Sequence, residues 1–261
     1  MNEGLVSIIT PSYNAEKLIG RTIQSVLDQT YVNWEMIVID DCSKDATRTV
    51  VSDLAAKDSR IRLVPLDSNH GAPAAPRNIG VKQATGRWIA FLDADDIWHP
   101  RKLELQVAAL EAANATFSCT QMVDFYDDKT IVFGQVEGCD VQRVAFAQQQ
   151  VKGRIPTSSV MLDKQLMLDH PFNVDIRYKA VEDYHCWLRI LSGTTTCLKL
   201  RHPLLHYRRI AGQISGSKRY MLERMFMLHR EFPGGSLAKA TLFTLTHAMG
   251  GFYYRILRKG L

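Results

Sequence analysis

The stretch "FLDADDIWHP", residues 91–100, sets three carboxylates, Asp93, Asp95 and Asp96, within four positions, directly after the apolar run "WIAFL". Carboxylates this close repel one another unless a positive group sits among them. The run before them is continuously apolar rather than alternating, the pattern of a strand buried on both faces. "LVSIIT" (5–10), "WEMIVID" (34–40) and "IRLVPL" (61–66) share that pattern. Helical spacings lie between them. "EKLIGRTIQSVLDQ" (16–29) repeats Leu18, Ile19, Ile23, Val26 and Leu27 on one face. "ATRTVVSDLAAK" (46–57) follows Ser43 and Asp45, an expected N-cap and first-turn acid, and "PRNIGVKQAT" (76–85) is closed by Gly86. Strands alternating with helices predict a parallel sheet, whose ligands bind at the carboxyl ends of the strands. Ser12 to Asn14, Asp40 and Asp41, and Asp93 to Asp96 all fall at such ends.

Beyond residue 100 the pattern loosens. Helix is predicted over 100–113 and strand over 115–126. Residues 127–157, with Gly134, Gly138 and Gly153, read as irregular. Strands are predicted over 158–163 and 203–209, and a helix over 181–191 with Glu182 and Asp183 in its first turn. Two helical stretches, 217–231 and 236–258, are split by "PGG" (233–235).

The 261 residues, 46% hydrophobic and 23% charged, have the composition of an ordinary globular protein. Five scattered cysteines form no C-x-x-C pair, which argues against a zinc site or a disulfide framework and points to a reducing, cytoplasmic compartment. The amino terminus lacks the basic and apolar regions of a signal peptide. No run reaches the roughly 18 uncharged apolar residues of a membrane span. The net charge of +5 is unevenly spread. From Ser217 onward Lys218, Arg219, Arg224, Arg230, Lys239, Arg255, Arg258 and Lys259 face only Glu223 and Glu231, so the excess is confined to the tail. These cations do not interleave with a nucleic-acid-binding motif, and no nucleic acid partner is expected.

Hard cations take oxygen ligands, and Mg²⁺ is typically held by one or two carboxylates together with substrate phosphates. A D-x-D at the tip of a parallel strand supplies such a pair. "PSYNAE" after the first strand, "DDCSKDAT" after the second, "GAPAAPRN" before the fourth and "FLDADD" after it occur in that order. "VEDYHCWLRI" and "HYRR" follow later. In this combination the chain, over about residues 5–216, resembles glycosyltransferase family 2. The resemblance implies a GT-A fold, a Rossmann-like mixed, mainly parallel sheet flanked by helices, here with a helical C-terminal extension. Residues 1–216 would be the catalytic domain, 1–98 its nucleotide-binding half and 99–216 its acceptor-binding half, and 217–261 the basic extension.

The same resemblance implies an inverting enzyme. It would move a hexosyl or N-acetylhexosaminyl group from a nucleotide-diphosphate sugar, UDP-linked by preference, to a hydroxyl of a glycan or lipid-linked glycan in bacterial surface polysaccharide synthesis. Mn²⁺ or Mg²⁺ would be held by Asp95, with Asp93 beside it on metal or ribose, and would supply the positive partner that the acidic cluster demands. The backbone at Pro11, the ring of Tyr13, Asp41 (with Asp40 as its substitute) and Arg77 would bind the donor. Pro76 stands before Arg77 where many relatives carry alanine. Inversion needs one general base opposite the leaving group. Glu182 and Asp183 are adjacent and point about 100° apart on a helix, so only one can serve; the resemblance favours Asp183. Many relatives carry a histidine two residues after the closing "YR", where this chain has Ile210. Arg209 or Lys218, each able to neutralise phosphate, is the expected replacement, with His206 also near in sequence.

Other readings fit less well. A nucleotidylyltransferase wants a glycine-rich, lysine-bearing loop after strand one, and "TPSYNAEK" has no glycine. A haloacid-dehalogenase-like phosphatase wants D-x-D-x-T after its first strand. A degenerate GT-A domain acting as a nucleotide- or glycan-binding module would not need both Asp95 and Asp183. The tail's amphipathic, basic and aromatic character reads either as peripheral contact with an anionic membrane, on the cytoplasmic face, or as helix packed on the catalytic domain.

Overall fold

In the computed structural model, which describes residues 2–138, 140–193, 195–210 and 218–256, the first apolar runs become strands in the predicted order. They are β1 (Asn2–Ser12), α1 (Ile19–Leu27), β2 (Trp34–Asp40), α2 (Thr47–Ala55), β3 (Ile61–Pro65), α3 (Ala74–Gln83) and β4 (Gly86–Phe91). The second half continues with β5 (Ile97–Trp98), α4 (Lys102–Ala112), β6 (Phe117–Phe125), β7 (Val141–Val144), α5 (Phe146–Val151), β8 (Met161–Asp163), α6 (Lys164–Asp169), α7 (Glu182–Leu191), β9 (Cys197–Arg208), α8 (Lys218–Glu231) and α9 (Leu237–Ile256).

Among the described residues nine strands join in one sheet, in the order β3-β2-β1-β4-β8-β6-β9-β5, with β7 also on β9. The pairings β2–β3, β1–β2, β1–β4 and β6–β9 are parallel. Those of β8 with β4 and β6, and of β9 with β5 and β7, are antiparallel. The parallel character read from the sequence holds for the first four strands and returns in the β6–β9 pair. β5 and β7 were not legible, because two and four residues carry no period to read. β9 begins at Cys197 rather than at residue 203, and most of the "SSVMLD" segment shortens to β8 behind a 3₁₀ turn, Thr157–Ser159.

Both faces of the early strands are buried. Ile9, Ile37, Ile39, Ile89 and Phe91 pack toward Trp187 of α7. Ile8, Met36, Val38, Trp88 and Ala90 pack toward Ile19, Ile23 and Val26 of α1. This two-sided burial is why these runs show no polar alternation. The chain order reverses between β1 and β4: β2 and β3 lie to one side of β1, and β4 returns on the other. Loops leaving two such strands diverge and open a crevice at their carboxyl ends. α3 closes on β1 so tightly that a Cβ at Gly80 would stand 2.5 Å from Ile9 Cγ2, and that approach carries Arg77, one turn earlier, to the crevice.

Met225 and Leu228 of α8, with Phe232 just after it, dock against Tyr184 and Leu188 of α7 and against Tyr178 and Val181 ahead of it. α9 buries Ala240 but leaves Leu237, Leu242, Leu245 and Met249 more than half exposed. No helix among the described residues is long and apolar enough to cross a membrane.

Candidate functional site

The loops after β1 and β2 are tied together. Asn14 N donates to Ser43 Oγ (2.9 Å) and Lys44 N to Asn14 Oδ1 (2.8 Å). Ser43 thus serves this junction instead of capping α2; it is Asp45 that takes Thr47 N at 3.0 Å, just ahead of the helix. Asp40 is fully buried and held by Arg48 Nε at 2.5 Å and by Ser43, so it is committed to structure. Asp41 accepts from His70 N at 3.0 Å and pairs with His70 Nδ1 at 2.7 Å. Tyr13 is half exposed above this floor, and the backbone of Pro11 pairs in register with Ile39.

Non-glycine residues rarely take positive φ, and such strain gathers at functional sites. Among the described residues Asn14 (φ 49°), Cys42 (64°), Asn114 (44°) and Ala180 (72°) do so. Three of these lie in loops that border the crevice.

Arg77 joins the acidic loop to α7. Its Nη2 stands 2.6 Å from Asp93 Oδ1 and its Nη1 3.2 Å from Glu182 Oε1. Burial disfavours its charge, yet the carboxylates of Asp93 and Glu182 outweigh that and strengthen its hold on the proton. Among the described residues its Nε and Glu182 Oε2 are buried and find no hydrogen-bond partner. Burial, then the charge of Asp183, pushes Glu182 up to about 7, against the opposing pull of Arg77. Asp96 is turned inward: Oδ1 accepts Arg208 N at 3.0 Å, and burial with Asp95 and Asp93 nearby pushes it well above the usual carboxylate range. The Asp95 carbonyl accepts Arg208 Nε at 2.7 Å.

The two acids opening α7 face different ways, as a helix requires of neighbours. Glu182 is buried on Arg77. Asp183 is partly exposed, with Oδ2 accepting Thr157 Oγ1 at 2.7 Å. The turn carrying Thr157 also meets the acidic loop, where Asp93 N donates to Ser158 Oγ at 3.1 Å. Thr157, Ser158 and Arg208 were not singled out from the sequence. Three small hydroxyl or serine-like residues ahead of "VML" were the available signal for the turn.

One of the expected stand-ins for the missing histidine, Arg209, is engaged elsewhere. Arg209 pairs with Asp124 of β6 at 3.0 Å, so the arginine that reaches the acidic loop is Arg208, not Arg209. His206 is buried beside Phe133, their rings 5.1 Å apart, in a cavity of about 350 Å³ that His99 and Phe125 also line. Ile210 is exposed. Lys218 opens α8, and its side chain lies outside the described residues. Among the described residues no three His, Cys, Asp or Glu side chains are set to hold a metal by themselves. A two-carboxylate set in which Asp93 is partly exposed fits an ion whose shell is completed by phosphate and water, the habit of Mg²⁺ and Mn²⁺, and not a closed zinc site.

Residues 7–182 match the family described as Glycosyl transferase family 2. The chain is 38% identical over 240 residues, 92% of its length and 90% of the relative's, to the Escherichia coli UDP-Glc:alpha-D-GlcNAc-diphosphoundecaprenol beta-1,3-glucosyltransferase WfgD. It is 33% identical to the putative teichuronic acid biosynthesis glycosyltransferase TuaG of Bacillus subtilis (strain 168), over 97% of this chain and 98% of that one. The fold matches S. aureus TarS in complex with UDP-GlcNAc, with a TM-score of 0.72 and 19% identity over 96% of this chain and 73% of that one. It also matches mannosyltransferase PcManGT from Pyrobaculum calidifontis in complex with GDP-Man and Mn2+, with a TM-score of 0.65 and 18% identity over 92% and 69% of the two chains.

Proposed function

The chain belongs to glycosyl transferase family 2 and is a glycosyltransferase, and we propose that it transfers a sugar, with inversion, from a UDP-sugar to a hydroxyl of a lipid-diphosphate-linked glycan. The observation that carries this reading is the juxtaposition of two acids across the crevice. Asp93, on the donor side, and Asp183, on the far side, are joined to one turn by 3.1 Å and 2.7 Å hydrogen bonds. The acceptor class follows the relatives, whose names specify alpha-D-GlcNAc-diphosphoundecaprenol and teichuronic acid biosynthesis.

Tyr13 stacks on the uracil, and Asp41, oriented by His70, receives its edge. Asp95 and Asp93 would hold Mn²⁺ or Mg²⁺, and the ion would supply positive charge beside the diphosphate leaving group. Arg77 meets the same diphosphate with a guanidinium that burial cannot discharge. Asp183 accepts the proton of the attacking hydroxyl on the face of the sugar opposite the leaving group, and this single displacement inverts the anomeric centre. Glu182, buried and paired with Arg77, is a poor candidate for that step; it fixes the arginine.

The tail carries a second element of the proposal. The exposed side chains Leu237, Leu242, Leu245 and Met249 of α9, with the basic residues of 217–261, suit the headgroup boundary of an anionic membrane on the cytoplasmic face, where a lipid-borne acceptor would lie. α8, by contrast, is a packing element.

The test is release of UDP from UDP-glucose and UDP-GlcNAc with Mn²⁺, with and without a prenyl-diphosphate-linked GlcNAc. Acceptor-stimulated UDP release with a new β-linkage supports the proposal. A nucleotide-sugar bound but never turned over would favour a degenerate binding module.

A further inference from the structure

The turn Thr157–Ser159 is built from three small polar residues, each less than a tenth exposed. Buried hydroxyls need partners, and these have them on every side. Thr157 Oγ1 donates to Asp183 Oδ2 at 2.7 Å. Ser158 Oγ accepts Asp93 N at 3.1 Å, and Ser158 O accepts Trp98 Nε1 at 2.7 Å. Ser159 O accepts Gln106 Nε2 at 3.0 Å, and Ser159 Oγ donates to Pro156 O at 2.7 Å. The turn is thus fastened below to α4 and β5, and above to the first turn of α7 and to the acidic loop. These two upper partners are far apart in sequence, 26 and 65 residues from the turn. With Arg77 bridging Asp93 and Glu182, the connections close a ring around the crevice.

The terminal torsion of an aspartate is broad and roughly two-fold, so packing alone holds a carboxylate loosely. Thr157 removes that freedom at Asp183. One oxygen is engaged by the hydroxyl, the other accepts Tyr184 N at 2.6 Å, and the remaining lone pairs are aimed in a fixed direction. We propose that Thr157 is a positioning residue for sugar transfer: it orients Asp183 toward the acceptor hydroxyl, while Ser158, next in the same turn, sets the acidic loop, so that one rigid turn fixes the separation of base and donor. The inference rests on the reading of Asp183 as the base. A misplacement of about 1 Å at a reacting group can cost on the order of 10²-fold in rate, which sets the scale of the effect.

The experiment compares Thr157→Val, which keeps the shape and removes the donor, with Thr157→Ser, which keeps the hydroxyl. Each is made in the wild type and in Asp183→Asn, and turnover, KM for the UDP-sugar and the thermal midpoint are measured for all. Thr157→Val is expected to lose about 10–100-fold in kcat with donor KM unchanged. Thr157→Ser should restore most of it, and Thr157→Val should cost nothing further in Asp183→Asn, because coupled residues are not additive. Wild-type kcat in Thr157→Val, while Asp183→Asn is crippled, would overturn the proposal and leave the base standing. Equal losses in both backgrounds would overturn it too, as would Thr157→Ser no better than Thr157→Val. Full turnover in Asp183→Asn would overturn the base and the positioning role together. Should Thr157→Val fail to fold, Thr157→Ser and its Asp183→Asn double variant decide by the same criterion: loss of kcat in a stably folded Thr157→Ser refutes the hydroxyl as the agent.

Discussion

Arg77 and Glu182, 105 residues apart in sequence, meet at 3.2 Å with 4% and 5% of their side chains exposed. A buried ion pair need not add stability, but removing one member strands the other. Arg77→Ala should therefore lower stability by about 3–5 kcal/mol in urea titrations. The loss should be larger at pH 8 than at pH 6, because Glu182, already pushed up to about 7, escapes part of the penalty by taking a proton. Arg77→Lys should recover little, since an ammonium cannot span Asp93 and Glu182 as a planar fork does. Unchanged urea midpoints would show that the bridge holds nothing.

Asp95→Asn should abolish the Mn²⁺ dependence of donor binding while leaving the thermal midpoint of the free protein close to wild type. Calorimetric titration with UDP, with and without Mn²⁺, reads this directly. Retained Mn²⁺-dependent affinity would move the metal site elsewhere.

Acid should destabilise the molecule through its buried histidines. Burial lowers His185, His206 and His229, each to about 4 against 6.5. A group with a depressed folded value contributes stability that is complete above the unfolded value and is lost as pH falls toward the folded one. The three histidines therefore withdraw stability between about pH 6.5 and 4. Glu182 acts in the opposite sense, its contribution fading as pH rises through 7. The thermal midpoint should fall from pH 7 to pH 5, and replacing His229, which packs α8 and α9 on Tyr184, by Gln should flatten that slope.

Leu242 and Leu245 are 56% and 55% exposed on α9, so changing both to Asp should leave the fold intact, within about 0.5 kcal/mol per site. It should also strip the protein from phosphatidylglycerol vesicles in a sedimentation assay. High salt should weaken attachment of the wild type, because polybasic attraction is screened. Undiminished sedimentation of the double variant would assign that face another partner, and self-association by light scattering would name it as a second copy.

Periodicity placed Asp41, Asp93 and Asp95 at strand ends and Asp183 in the first turn of a helix, whereas the resemblance implied their roles. Their partners were not legible. Arg77 could be suspected, but its link to Glu182 joins residues 105 apart in sequence. Arg208 and Arg209 differ by one position, which on a strand means opposite faces. Arg209 was singled out as a cation next to Ile210 in sequence, and nearness in sequence does not show that Arg208 turns to the Asp95 carbonyl while Arg209 pairs with Asp124. Thr157 and Ser158 lay at the margin of an irregular segment without a period. The fold of that region is set by β9, which gathers β5, β6 and β7 from distant parts of the chain.

The central claim is that Asp183 removes the acceptor proton. Steady-state transfer from UDP-sugar to the lipid-linked acceptor by Asp183→Asn tests it most directly, with UDP affinity measured on the same preparation. The account predicts a fall in kcat of about 10²–10⁴-fold with UDP affinity unchanged, and only a minor kcat effect for Glu182→Gln once its stability is allowed for. Wild-type turnover in Asp183→Asn, or the full loss appearing in Glu182→Gln instead, would contradict it.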